Sequence, residues 1–328
     1  MKRFFVALAL VGALGACDGG NPASESDDSA GVGTGAQPLI DEPMPTNVPT
    51  EPGGSTGPDV YGTDANADLT MNDVDFDPQT GQLVLNNLPF DGGDNRYARD
   101  TAASTALGNA GSPFSAYRNV QGSNRYYAVF RRSASGYSQV TAVGNDNYVT
   151  FGFGGASAQR LSGDGSLPNA NQNYVFNGEY AAVRTIIDPD TGSEIQYVIG
   201  DVRIDVDIED FDDLGAVEGI IANRQFFDKA GVPINDLNGS DEFISLATAQ
   251  IDFSNWTIQS STAGVYGGNN TNGVGATGTW QGLFTGPNGE EVAGIVVVEG
   301  TGPIGIDPNT GDYIQVDVRE VGAFVATR

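Results

Sequence analysis

An all-β fold is predicted by three observations. Strand-type segments rich in β-branched and aromatic residues recur closely from residue 173 to the C-terminus. Clusters of Gly, Pro, Asn and Asp separate them, and no stretch carries a 3.6-period apolar stripe over three turns. The segments are Asn173–Val183, Ile195–Ile208, Ala216–Phe227, Leu246–Phe253, Thr257–Gly264, Gly275–Phe284, Val292–Val298 and Tyr313–Val325, the last with a break expected at Glu320–Gly322. An eight-stranded antiparallel up-and-down barrel over residues 166–328 is the architecture that pairs every one of these edges.

In chain order, residues 1–16 have the layout of a secretory signal. Lys2 and Arg3 form a charged start, Phe4–Val11 a short apolar run too brief to span a bilayer, and small residues follow. Leu14-Gly15-Ala16-Cys17 resembles the lipobox of bacterial lipoproteins, which implies that Cys17, the one cysteine of the chain, carries the lipid and becomes the first mature residue. That resemblance implies attachment to the cell outer membrane, with the chain outside or inside it. Asp18 resembles an inner-membrane retention signal of enteric bacteria and keeps the periplasmic side of the inner membrane open as the alternative.

Residues 17–68 are Gly, Pro, Ser, Thr, Asn and Asp with scarcely a large apolar side chain, so they cannot bury enough surface to offset their ordering entropy. They are read as a disordered tether about 40 Å in r.m.s. span. Residues 69–165 read as a smaller β-rich region containing Gln82–Leu85, Tyr126–Phe130 and Tyr148–Phe151, with one short helix expected at Thr101–Asn109. The pentad Asp-Pro-x-Thr-Gly occurs at residues 77, 188 and 307 and reads as a reused hairpin turn, since its flanks differ.

Composition excludes several functions. The 328 residues include no His, one Cys, 42 acidic and 15 basic side chains, for a formal charge of −27. Imidazole bases, His metal or haem ligands and thiolate zinc sites are therefore excluded. Nucleic acid is disfavoured, because its phosphates would be repelled over most of the surface. No cofactor is expected, and haem capture would need Tyr or Met ligation. Loss of residues 1–16 removes Lys2 and Arg3 and deepens the charge by two.

Candidate sites follow from the same residues. Asp205, Asp207 and Glu209, with Asp201, Asp210, Asp212 and Asp213 nearby, could offer oxygen ligands to a cation. Alternate strand residues sit nearly 7 Å apart, which favours a solvated face. In Val202–Glu209 the aliphatic and charged residues alternate, the pattern of a strand buried on one face. A lipid-spanning barrel is not expected, because the strands lack a continuous apolar belt. Trp256, Trp280, Phe226-Phe227 and Tyr126-Tyr127 are expected in the core, Arg131-Arg132 as an ion-pair hub, and exposed tyrosines on strand ends or loops as the contact residues.

Several motifs in order carry a family resemblance. They are Ser166-Leu167-Pro168, Tyr174–Tyr180 with its Asn177-Gly178-Glu179, Val206–Ile208 leading to Val217-Glu218-Gly219-Ile220-Ile221, Gly278–Gly294, and the closing Val321–Ala326. This half of the chain resembles the transferrin-binding protein B-like β-barrel domain of bacterial lipoproteins. Asn288-Gly289 departs from that family's longer turn. The resemblance implies a non-catalytic envelope protein that captures a protein, or an iron- or haem-type nutrient, through barrel loops, with residues 69–165 as a handle. The alternatives are a carbohydrate hydrolase using paired carboxylates and a structural envelope lipoprotein without a discrete ligand.

Overall fold

The computed structural model describes residues 60–62, 74–86, 88–146, 151–168, 172–188, 192–208, 215–268 and 275–328. The signal, Cys17 and most of the expected tether lie outside them. Within the tether range, however, Val60–Gly62 form a strand, β1. It pairs antiparallel with residues 156–158, because a short extended segment can satisfy an open sheet edge whatever its own apolar content.

The N-terminal region is an eight-stranded antiparallel sheet. Its further strands are β2 (Val74–Asp77), β3 (Gln82–Leu85), β4 (Arg96–Arg99), β5 (Ser115–Asn119), β6 (Tyr126–Arg132), β7 (Ser138–Asn145) and β8 (Gly155–Arg160). The order across the sheet is β1-β8-β7-β6-β5-β4-β3-β2. Helix α1 occupies Thr101–Asn109, the expected position, and Asp100 caps it by accepting from the backbone N–H groups of Ala102 and Ala103.

The C-terminal region is a closed up-and-down barrel. It comprises β9 (Asn173–Asp188), β10 (Gly192–Asp207), β11 (Ala216–Asp228), β12 (Phe243–Asp252), β13 (Thr257–Tyr266), β14 (Ala276–Thr285), β15 (Glu291–Ile306) and β16 (Tyr313–Thr327). Each pairs antiparallel with the next, and β9 pairs with both β10 and β16 to close the ring. Strand β16 runs through Glu320–Gly322 without the expected break, because it is paired there on both sides. The repeated pentad makes the same turn wherever described. Asp77 and Asp307 each accept from the N–H two residues on, and Gly81 and Gly311 take positive φ of 67° and 77°.

The lumen is solid. Phe176, Tyr180, Ile204, Phe226, Trp280, Phe284 and Phe324 fill it with aliphatic neighbours, and Trp280 Nε1 donates to the Ala247 carbonyl at 2.8 Å. Among these side chains sits an ionic cluster. Arg224 donates to Glu242 at 2.6 Å and also to Glu320, Tyr180 Oη donates to Glu320 at 2.7 Å, and Arg184 donates to Gln196 and the Pro303 carbonyl. The Arg184 and Arg224 guanidinium groups both lie over the Phe226 ring, 5.3 and 5.0 Å from its centroid. Two glycines make room: a Cβ on Gly322 would overlap the Tyr180 ring, and one on Gly302 would overlap Arg184.

A β-bulge aims this cluster inward. Val217 and Ile221 point into the lumen at odd positions, but Arg224 and Phe226 do so at even ones. The parity changes opposite Gly200, where Asn223 adopts φ 53° and adds one residue to β11.

The sheet packs on the outside of the barrel. Leu107, Phe114, Tyr127, Val129 and Val140 meet Ala181, Val183, Tyr197, Ile295, Val321 and Val325 in a second core. A third core, with Leu83, Leu85, Tyr97, Tyr117, Tyr126 and Phe130, fills the other face of the curled sheet. Polar contacts hold the two regions in register. Buried Glu291 of the barrel accepts from Ser135, Ser138 and Thr285, Arg160 reaches the Phe284 and Asn255 carbonyls, and Arg131 pairs with Glu179.

Arg224→Leu is expected to cost about 3–5 kcal/mol, because Glu242 and Glu320 would stay buried without their cation. Asn223→Val should cost about 1–2 kcal/mol through left-handed strain alone. Urea unfolding of both variants tests this; wild-type midpoints would remove the cluster from the fold's determinants.

Candidate functional site

The barrel interior offers no open lumen among the described residues, so candidate contacts lie on loops and outer faces. Glu242 and Glu320 are a converging pair of carboxylates, but both are buried and matched by Arg224. Burial, the largest single effect, pulls Arg224 down, but the combined pull of Glu320, Glu242 and Tyr180 outweighs it and holds the guanidinium above its ordinary range. Burial pulls Arg184 down, since Gln196 and a carbonyl are its bonded partners.

The acidic strand faces outward as its alternation predicts. Val202, Ile204 and Val206 are buried, and Asp205 and Asp207 line an external groove of about 440 Å³ with Glu218 and Thr248. Arg203 grips Asp205 at 2.8 and 3.0 Å, and Thr248 donates to Glu218. Glu209, Asp210, Asp212 and Asp213 lie outside the described residues. Among those described, no three acidic or Cys side chains group so as to hold a metal ion. This face carries charge where a lipid-spanning barrel needs its apolar belt.

The feature the sequence did not mark is the loop between β3 and β4. Phe90 is 65 % exposed, the only exposed aromatic among the residues whose exposure is described, and it adopts φ 65°. Tyr148 lies outside the described residues, and every tyrosine whose exposure is described is buried or half-buried, because the aromatic positions of those strands face the cores. A bulky residue in the left-handed region is strained and persists only where its surroundings fix it. Here they do. The Phe90 carbonyl accepts from Ser123 and Asn124 N–H at 3.0 and 3.1 Å. The Pro89 carbonyl accepts from Tyr126 Oη at 2.9 Å, and Asn119 donates to the Asp91 carbonyl at 3.0 Å. Gly122, at φ 109°, lies so close to Phe90 and Asp91 that any Cβ would overlap their backbone. Val120, 50 % exposed, stands on the facing loop. The signal for this site is weak in one sequence: a lone Phe before Asp-Gly-Gly reads as an ordinary turn.

Asp91 anchors the loop from below, its carboxylate accepting from Tyr97 Oη at 3.0 Å. Burial pushes its pKa up to about 6; the Tyr97 hydrogen bond opposes this and Asp94 adds to it.

No family model matches the chain, and no curated protein matches it. Two solved structures of the vaccine antigen transferrin binding protein B from Haemophilus parasuis Hp5 are similar. A double mutant shares 12 % identity over 82 % of this chain and 45 % of its own, with a TM-score of 0.37. A single mutant shares 15 % over 66 % of this chain and 37 % of its own, with a TM-score of 0.35. This chain thus spans less than half the length of either.

The raised Asp91 pKa has a definite pH signature. The folded state holds the proton more tightly than the unfolded state, so this contribution is fully present below about pH 4 and is lost as pH rises through 6. At pH 7 the loss is on the order of 2 kcal/mol. Asp91→Asn, which keeps an acceptor for Tyr97, should match wild type in thermal stability near pH 4 and exceed it at pH 7. Equal pH slopes for the two proteins would contradict the assignment.

Proposed function

We propose that the chain is a lipid-anchored, non-catalytic envelope protein that captures a soluble protein partner, with the Phe90 loop as a principal contact. The observation that carries this reading is an aromatic ring held in solvent by a backbone that is hydrogen-bonded into a strained conformation. Such rigidity lowers the ordering cost of association, and a large ring buried in a partner's pocket is a common source of binding energy. A solid barrel supports it as well, since it leaves recognition to outer surfaces. The resemblance of Leu14–Cys17 to a lipobox, followed by a polar stretch, supports an anchor with reach beyond the membrane. The excess of acid serves solubility at that surface.

Phe90→Gly separates binding from folding. Glycine relieves the positive φ, so thermal stability should be equal or higher, while retention of a partner from native medium by the immobilised chain should fall about tenfold or more. A variant that retains the same partner as wild type would overturn the role of Phe90. Cys17→Ser should move the chain from the membrane fraction to the soluble fraction, and protease shaving of intact cells should remove the wild-type domain. Full protection would place it on the periplasmic side instead.

A further inference from the structure

Cations are scarce in this chain, 15 against 42 acids, yet Arg99, Arg118 and Arg125 line one pocket of about 310 Å³ on the N-terminal sheet. Its walls are Ala98 and Arg99 of β4, Arg118 and Asn119 of β5 with Val120 beyond it, and Arg125 with Tyr126 and Tyr127 at the start of β6. Three of the few positive side chains meeting at one opening is not what a charge-dispersing surface produces. The carboxylates beside them are already committed. Asp100 uses Oδ1 to cap α1 and Oδ2 to meet Arg118 Nε at 3.0 Å. Asp146, whose side chain is fully buried, accepts from Tyr127 and meets both Lys229 and Arg125 at 3.2 Å.

These acids orient the arginines without covering them. The side chains of Arg118 and Arg125 are 59 % and 64 % exposed, whereas those of Asp100 and Asp146 are 10 % and 0 %. Asp100 takes Arg118 by Nε, and the edge formed by the two terminal nitrogens is not used by that pair. Arg99 has no ion pair among the described residues. A guanidinium fixed through one edge presents the fork that carboxylates and phosphates accept in two parallel hydrogen bonds. The distant acids do not forbid an anion, because at physiological ionic strength charges beyond about 8 Å are largely screened.

We infer that this pocket binds a small oxyanion, a phosphate or a carboxylate, held by Arg99 and Arg118 with Arg125 at its rim. The site goes beyond protein capture and does not use the Phe90 ring, so each can fail without the other.

The test is titration of the full chain with inorganic phosphate and, separately, with citrate. Arginine side-chain N–H signals are followed by NMR in buffer free of both anions, at low and physiological salt. Saturable shifts at Arg99 and Arg118 with either probe, weakened by salt, are expected, and the probe that saturates first identifies the oxyanion. Arg118→Gln should weaken binding about tenfold or more. Arg99→Gln should do the same with unchanged thermal stability, which guards against a folding defect in the other variant. Arg203→Gln, an exposed cation on β10 that does not line this pocket, should leave binding intact. Shifts that fail to saturate with both probes, or that Arg203→Gln reduces as much as Arg99→Gln does, would overturn the inference.

Discussion

The barrel depends on the desolvation of Arg224. A guanidinium in a side-chain-filled lumen is tolerable only if its charge is matched. Glu320 and Glu242 supply that match from β16 and the approach to β12, strands that are not neighbours. Tyr180 donates to Glu320, Gln196 and the Pro303 carbonyl accept from neighbouring Arg184, and Gly302 and Gly322 leave the space. On the Arg224 guanidinium only Nε is left without a partner among the described residues. Contacts from β9, β10, β11, β15 and β16 therefore converge on one point, and the ring cannot slip in register without unpairing a buried ion.

That fixed barrel is the support for everything outside it. The sheet lies on the outer faces of β9, β10, β15 and β16 through an apolar core bordered by Glu291, Arg160 and the Arg131–Glu179 pair. The same sheet carries the β3–β4 loop and the arginine pocket on adjoining strands. A loop hydrogen-bonded to its neighbour can hold Phe90 at positive φ only because both loops spring from paired strands. Rigidity thus passes from the lumen to the sheet to the exposed ring.

Much of this was legible in the sequence, and the reasons are local. All eight barrel strands, the helix at Thr101–Asn109 and the shared Asp-Pro-x-Thr-Gly turn are signalled by periods of two, a short run of alanines with Leu107, and turn chemistry, each confined to a few neighbouring residues. Trp280 and Phe226 in the lumen follow from the size of their rings, and Arg131 does form the expected ion pair. The misses are long-range. Val60–Gly62 looks like tether until an open edge recruits it, and nothing near Phe90 shows that its ring, instead of a tyrosine, would be left in solvent.

The sequence by itself determined the fold class, the strand count of the barrel and the excess of acid. It also carries the lipobox-like run at Leu14–Cys17. These are properties of short segments or of totals. Only the tertiary structure decided which side chains meet. Simple alternation along β11 would turn Asn223 and Gln225 inward, but one added residue opposite Gly200 turns in Arg224 and Phe226 instead. The physical reason is that a strand's two faces are distinguished by parity alone, so a single bulge set by cross-strand pairing reassigns every residue beyond it. The pocket of Arg99, Arg118 and Arg125 is of the same kind: three arginines far apart in a list of residues, brought together by the pairing of three strands.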